Sequence, residues 1–124
     1  MRVLLDTHAL IWALADDEEL SPAARELIIN GETEVLVSAV SAWEIAIKRA
    51  LGKLEAPDDL ATVVTDAGFL PRSIDLADAE RVGTLPNHHR DPFDRMLVAQ
   101  ALNEGVPIVT RDPLIARYQV QVIW

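Results

Sequence analysis

The sequence predicts an α/β fold in which helices cover both faces of a mostly parallel β-sheet. Short, continuous apolar runs alternate along the chain with longer segments of helical periodicity, which is the pattern of repeated βα units. Half of the 124 residues are hydrophobic, and this length fits one compact domain over residues 1–124. We therefore expect one core built around a buried sheet.

In the first half of the chain, turn and cap residues separate the predicted elements. Val3–Leu5 is a short apolar run that ends at Asp6, and Ser21-Pro22 places a cap and a first-turn proline at the start of a helix. Asn30-Gly31, Gly52 and Gly68 are helix stops. The predicted elements are a strand at 3–5, helices from about 9 to 15 and from 21 to 30, a strand at 34–37, a helix at 38–51 and another between Pro57 and Gly68.

The second half continues the alternation and contains the clearest helix. Pro92 to Glu104 carries Leu97, Val98, Ala101 and Leu102 at helical spacing, and Gly105 ends it. Proline, asparagine and two histidines mark 85–90 as a loop. The other predicted elements are a weak strand at 69–74, a short helix at 76–82, a strand at 107–110, a short helix opened by Asp112-Pro113 and a strand at 120–123.

Several acidic residues at the ends of these elements have a purely structural interpretation. Asp6 can cap the first helix, and Glu44 follows Ser41 at the spacing of a capping box. Asp91 precedes Pro92 as an N-cap, with Asp94 three residues later, and Asp112 precedes Pro113 in the same way.

Helix faces favour a functional interpretation of two of these acids. Glu44 falls on a stripe that we expect to be buried and that also contains Val40, Ile47, Leu51 and Leu54. Asp94 stands one turn before Leu97 and Val98 on a similar face. Desolvating a lone carboxylate is costly, so both side chains require a cation.

The predicted topology brings the acids together. In an open parallel sheet the carboxyl ends of the strands and the following helix N-termini line one edge, where ligands bind. Asp6, Glu44, Asp94 and Asp112 all fall at that edge, and their mutual repulsion favours a bound positive charge. Arginine or a divalent ion could supply this charge, and Mg²⁺ or Mn²⁺ suits an oxygen-ligand site. Such a site is typical of metal-dependent phosphodiester hydrolysis.

Composition narrows the function classes. The chain has no cysteine, which excludes disulfides, thiolate metal sites and a thiol nucleophile. The net charge of −9 argues against nucleic-acid binding by phosphate neutralisation alone, so RNA would require metal ions or a local basic patch. Without a signal peptide or a membrane span, we expect a cytoplasmic protein. The arginines of the last third are candidates for that patch or for ordinary surface charge: Arg90, Arg95, Arg111 and Arg117.

Four segments resemble the PIN domain, and within it the VapC-like toxins of type II toxin–antitoxin systems. They are LLDTHALIW (4–12), VSAVSAWEIAIK (37–48), HRDPFDRMLVAQAL (89–102) and IVTRDPLI (108–115). Together they span nearly the whole chain in the expected order.

The resemblance implies a PIN-like three-layer α/β/α fold and a metal-dependent endoribonuclease that is inhibited by a cognate antitoxin and forms a homodimer. Its acidic quartet maps onto Asp6, Glu44, Asp94 and Asp112. Asp6 and Asp94 would be the main Mg²⁺ or Mn²⁺ ligands, Glu44 would join directly or through water, and Asp112 would act behind them or at a second ion. Asp91 is the alternative to Asp94.

The remaining polar and aromatic candidates have structural interpretations as well. Thr7, Ser38 and Thr110 lie at strand ends, where they could bind a ligand or complete a turn. Arg111 stands beside Asp112. We interpret His8 as a local structural residue and the loop pair His88 and His89 as solvated. Three tryptophans could stack bases, but packing in the core or at an interface is the favoured interpretation: Trp12, Trp43 and Trp124.

Other functions remain as alternatives. An aspartyl phosphotransferase would need a second acid two residues after Asp6, where His8 stands, and no glycine-rich nucleotide motif occurs. A PIN-like binding module without catalysis would use the acids only as caps. A DNA-directed nuclease would share the same metal chemistry.

Overall fold

A five-stranded sheet forms the centre of the computed structural model, which describes residues 1–124. The strands are β1 (Arg2–Leu5), β2 (Glu34–Ser38), β3 (Leu70–Arg72), β4 (Ile108–Val109) and β5 (Val122–Ile123). They lie in the order β3-β2-β1-β4-β5, and every neighbouring pair is parallel. The predicted α/β fold is confirmed, with a sheet that is entirely parallel.

Six α-helices connect and cover the strands. They are α1 (Thr7–Ala15), α2 (Pro22–Ile29), α3 (Ala39–Ala50), α4 (Leu60–Asp66), α5 (Leu76–Val82) and α6 (Pro92–Glu104). A single 3-10 turn, Ile115–Arg117, follows β4. None of the helices combines the length and the apolar run that crossing a membrane requires.

β1 supplies side chains to both faces of the sheet. Val3 and Leu5 belong to a cluster of 12 buried residues on one face, whereas Leu4 belongs to a cluster of 10 on the other. Successive strand residues point to opposite faces, which explains this division. The central position of β1 between β2 and β4 buries it on both sides and fixes the edge at which Asp6 emerges.

Most helix boundaries follow the predicted caps and stops. Ser21 and Asp91 cap α2 and α6 through their side chains, and Gly105 ends α6 with φ of 70°. The predicted start of α1 near Ala9 is wrong, because Asp6 accepts a hydrogen bond from Ala9 N and the helix begins at Thr7. The helix predicted after Asp112-Pro113 is a 3-10 turn, and the predicted strands at 69–74, 107–110 and 120–123 are shorter in the structure.

The predicted buried face of α3 is only partly correct. Val40 and Glu44 are buried, but Ile47 and Leu51 further along the same stripe are 38% and 62% exposed. The buried face instead turns through Ser41 and Ile45. The structural interpretation of Ser41 and Glu44 as a capping box does not hold, because Ser38 caps α3 and both residues lie inside the helix.

Candidate active site

Asp6 lies at the carboxyl end of β1, next to the end of β4. Leu5 pairs with Val109, and Asp6 N donates to the Val109 carbonyl at 3.1 Å. Oδ1 of Asp6 accepts the α1 cap hydrogen bond from Ala9 N at 2.7 Å. Burial raises the pKa of Asp6 above its usual value, although hydrogen bonding to the Thr110 hydroxyl and to Ala9 N opposes the rise. Asp6 is therefore both a helix cap and a buried carboxylate at the sheet edge.

Asp94 lies in the first turn of α6 and is 82% shielded from solvent, its side chain being 18% exposed. The cap is made by Asp91, whose Oδ1 accepts hydrogen bonds from Phe93 N and Asp94 N. Burial, followed by the negative charges of Asp91, Glu44 and Asp6, raises the pKa of Asp94 to about 7. Its side chain contacts a single nitrogen, Nε2 of His89, at 3.1 Å.

Asp112 follows β4, and hydrogen bonds fix both its side chain and its backbone N–H. Its Oδ1 accepts from Leu114 N at 2.8 Å, and its own N–H donates to the Thr110 hydroxyl at 3.0 Å. Oδ2 of Asp112 lies 2.8 Å from Nε2 of His89. One ring nitrogen of His89 and one carboxylate oxygen each of Asp94 and Asp112 lie within 4.8 Å of one another.

Glu44 lies deeper, on the buried side of α3, and is 3% exposed. Its Oε1 accepts from the Thr7 hydroxyl at 2.6 Å, and its Oε2 accepts from Lys48 Nζ at 2.5 Å. The hydrogen bond to Glu44 raises the pKa of Lys48. Both carboxylate oxygens are thus engaged by this chain, and the cation that the sequence required for Glu44 is the lysine one helical turn later.

A cleft of about 330 Å³ opens beside these carboxylates. Arg111 spans its edge, since its Cζ lies 4.4 Å from the centre of the Trp12 ring while Nη1 pairs with Glu19 Oε2 at 2.5 Å. Glu44 is not among the lining residues. They are Asp6, His8, Trp12, Asp94, Arg111, Asp112 and Pro113.

The other predicted candidates have structural contacts. Thr7 and Thr110 bond Glu44 and Asp112, and Ser38 caps Val40 N. Of the four arginines, only Arg111 lines the cleft, whereas Arg95 donates to the backbone carbonyls of Val82 at the end of α5 and of Leu85 and Pro86 in the loop that follows. Arg90 and Arg117 are exposed.

Two of the three tryptophans pack against each other, and the third is mostly exposed. Trp12 packs on Trp124 with ring centres 5.8 Å apart, and His8 lies against Trp12 at 5.5 Å. Trp43 contacts Phe93 edge-on but remains 58% exposed.

His89 and Lys48 contact the acids of this site but are not among the residues predicted for it from the sequence. The prediction that His88 and His89 are solvated is wrong, because His88 packs on Tyr118 and His89 contacts two carboxylates. No spacing rule connects residue 89 with residue 112, so the sequence contained no signal for this contact. Lys48 could have been found, since it follows Glu44 at the i+4 spacing of helical ion pairs.

The donor set fits a hard divalent cation. Asp6, Asp94 and Asp112 present carboxylate oxygens to one cleft, and no lysine lines it. Burial and the neighbouring carboxylates raise the pKa of Asp94, and Arg111, which also pairs with Glu19, is the one lysine or arginine that lines the cleft. Carboxylate oxygens with room for water are the surroundings in which proteins hold Mg²⁺ and Mn²⁺.

Comparison with known proteins places the chain in a family. Residues 3–120 match the PIN domain. Ribonuclease VapC22 of Mycobacterium tuberculosis is 32% identical over 117 residues, covering 89% of this chain and 86% of that protein. Ribonuclease VapC16 of the same organism is 42% identical over 57 residues, covering 43% of this chain and 40% of that protein.

Solved structures show the same fold at low sequence identity. A toxin–antitoxin complex from Klebsiella pneumoniae contains a chain with a TM-score of 0.68 and 18% identity, covering 98% of this chain and 96% of that one. VapBC2 of Rickettsia felis, bound to a promoter DNA fragment, gives a TM-score of 0.67 at 13% identity, covering 99% and 98%. With the matched family and the relatives above, the chain belongs to the PIN-domain family and, within it, to the VapC ribonucleases.

Proposed function

We propose that this chain is a Mg²⁺- or Mn²⁺-dependent endoribonuclease that acts as the toxin of a type II toxin–antitoxin pair. As a member of the VapC ribonucleases it is a nuclease of the PIN fold. The observation that supports the catalytic assignment is the convergence of Asp6, Asp94 and Asp112, from three separate segments, on one cleft.

Within this proposal the carboxylates of Asp6, Asp94 and Asp112 hold the ion. A bound divalent ion would activate water and balance the charge of the phosphodiester during hydrolysis. Asp94 must be ionised to serve as a ligand, and its pKa of about 7 means that a substantial fraction is protonated at neutral pH when no cation is nearby. Ion binding and loss of this proton are therefore coupled.

We assign Glu44 to the support of this site. Thr7 directly follows Asp6, and its hydrogen bond to Glu44 ties the start of α1 to α3. Direct ligation or proton abstraction by Glu44 would first require its Oε2 to leave Lys48. Arg111 at the cleft edge is placed to attract the phosphate, although it must share its charge with Glu19.

The experiment is cleavage of a panel of structured and single-stranded RNAs with Mg²⁺, with Mn²⁺ and with chelator. Asp6→Asn and Asp94→Asn should abolish cutting, whereas Asp66→Asn, the same change at an exposed residue of α4, should not. Equal cutting by all variants would assign the activity to a contaminant. RNA binding without metal and without cleavage supports the binding module, and cleavage of matched DNA alone supports the DNA-directed nuclease.

The partners we propose are a cognate antitoxin and a second copy of the chain. Solved structures with this fold include toxin–antitoxin complexes, which supports the antitoxin. For the second copy, an exposed apolar stripe runs along α3 and its C-cap residue at i, i+4 and i+8: Trp43, Ile47 and Leu51. A stripe along one helix can pack against itself across a twofold axis, and exposed apolar patches mark interfaces.

A further inference from the structure

Hydrogen bonds to the side chains of Tyr118 and Arg95 fix the position of His89 and of the loop before it. Its N–H donates to the Tyr118 hydroxyl at 3.0 Å, and the same hydroxyl accepts from Arg95 Nη1 at 3.1 Å. Arg95 also donates to the carbonyls of Val82 and Pro86, at 3.1 and 3.0 Å, which secures the loop that precedes His89. The ring therefore reaches the carboxylates from a well-supported loop.

A second contact determines which ring nitrogen of His89 carries the proton. Asp91 N–H donates to Nδ1 of His89 at 3.1 Å. A backbone N–H is only ever a donor, so Nδ1 must be unprotonated, and the neutral ring carries its proton on Nε2. Nε2 is the nitrogen that lies 2.8 Å from Asp112 Oδ2 and 3.1 Å from Asp94 Oδ2.

We propose that His89 is a positioning residue, not a metal ligand: its Nε2–H donates to Asp112 while the same nitrogen lies 3.1 Å from Asp94 Oδ2, so the ring holds these two carboxylates together. A metal ligand nitrogen must offer a free lone pair, which Nε2 lacks while Nδ1 accepts from Asp91. Asp91 thus has two functions, since its side chain caps α6 and its N–H sets the histidine tautomer. The inference deepens the proposed nuclease function and rests on it for the identity of the ligands.

The tautomer can be measured directly in metal-free protein. Long-range ¹H–¹⁵N correlation at about pH 8.5, above the usual histidine pKa, distinguishes protonated from unprotonated ring nitrogens. His89→Gln identifies the His89 signals among the three histidines. We expect a protonated Nε2 and an unprotonated Nδ1, unchanged when Mg²⁺ is added. A proton on Nδ1, or loss of the Nε2 proton on adding Mg²⁺, overturns the proposal.

Two substitutions separate donation from ligation. Glutamine can place an N–H near the position of Nε2, so His89→Gln should bind Mg²⁺ within about threefold of wild type in calorimetry, whereas His89→Leu should bind about tenfold or more weakly. His88→Phe, which preserves the aromatic contact with Tyr118, is the matched control and should bind like wild type. Melting curves confirm that each variant is folded.

The outcomes distinguish this proposal from the proposed function. Equal loss of Mg²⁺ affinity in the glutamine and leucine variants contradicts the positioning role and identifies the ring as a ligand. A wild-type chain that binds neither Mg²⁺ nor Mn²⁺ contradicts the nuclease site, while the tautomer in the metal-free protein still decides whether His89 donates to Asp112.

Discussion

Asp94 is a carboxylate whose ionised form is unfavourable in the metal-free site. It is shielded from solvent, it lies near three other carboxylates, and its single nitrogen contact is His89. The cost of ionising Asp94 in the folded state is the physical basis of its raised pKa. Stability of the metal-free protein should therefore depend on pH in a direction opposite to that of an ordinary ion-paired aspartate.

We predict that the metal-free protein becomes less stable as the pH rises through the window set by Asp94. Its pKa is about 7 in the folded state, against about 3.9 in an unfolded chain, so the folded state binds more protons between these values. The melting temperature should fall as pH increases from about 4 to 7 and should level off above the folded pKa. Mg²⁺ affinity should rise over the same range, because the ion binds the ionised carboxylate.

Asp94→Asn should remove most of this pH dependence and raise the melting temperature of the metal-free protein at neutral pH. Asp66→Asn provides the matched control and should retain the wild-type profile. An Asp94→Asn protein whose melting temperature still falls as steeply with pH would assign the effect to another group, with Asp6 the next to test because its pKa is also raised.

Asp91 and Asp94 should respond differently to substitution. Asp91→Ala removes the α6 cap and should lower the free energy of unfolding by about 1 kcal/mol, and Asp91→Ser should recover most of that loss. Both Asp91 variants should keep metal-dependent cleavage, measured in the RNA assay at a temperature where they are folded. Loss of cleavage in Asp91→Ser, with retention in Asp94→Asn, would exchange the two assignments.

At the scale of elements, a buried polar network joins α5 to α6 and β3. Asp78 is fully buried, pairs through both oxygens with Arg72 at 2.8 Å, and accepts hydrogen bonds from Gln100 and Asn103. Burial alone would raise the pKa of Asp78, but the Arg72 guanidinium and the amide donors outweigh it and hold the pKa well below its usual value. The network fixes α5 beside the helix that carries Asp94.

Asp78→Ala should be one of the most destabilising substitutions in the chain. It leaves Arg72, itself largely buried, without its bidentate partner but still paired with Glu104, so we expect a loss near the lower end of the about 3–5 kcal/mol that removing one member of a buried ion pair costs. Asp75→Ala, which removes an exposed cap from the same helix, should cost about 1 kcal/mol. Urea unfolding of the two variants compares them, and similar losses would show that the network contributes little beyond the cap.

The apolar stripe of α3 leads to a prediction about assembly. Trp43→Ser and Leu51→Ser should shift the chain from dimer to monomer in sedimentation equilibrium, because both side chains are more than half exposed. Leu51→Ser should leave monomer stability nearly unchanged, whereas Trp43→Ser also removes the contact with Phe93. Leu76→Ser, at an 84% exposed leucine of α5 outside the stripe, is the control and should remain dimeric. A wild-type chain that is monomeric at all concentrations contradicts the second-copy proposal.

At the scale of the whole molecule, β1 links the two halves of the chain. It pairs with β2 from the first half and with β4 from the second, and its alternating side chains enter both core clusters. We predict a single cooperative unfolding transition, with coincident midpoints by far-UV circular dichroism and tryptophan fluorescence. Separate midpoints would show that residues 1–124 contain two independently stable units.

The sequence by itself determined the order of strands and helices, most of their caps and stops, and the edge of the sheet at which the acids gather. These features depend on local spacing: Ser21-Pro22, Asp91-Pro92 and Gly105 act on their own helices, and short apolar runs form buried strands wherever a sheet is available. The four segments that resemble the PIN domain are likewise stretches of neighbouring residues, so they can be recognised without knowing the tertiary structure.

Only the tertiary structure decided which side chains meet. It turned the second half of the α3 stripe towards solvent, joined Thr7 to Glu44, and brought His89 to Asp112 across 23 positions of sequence. It also paired Asp78 with Arg72 and Gln100. The physical reason is that burial and pairing depend on distances between segments, which periodicity along a single segment does not contain.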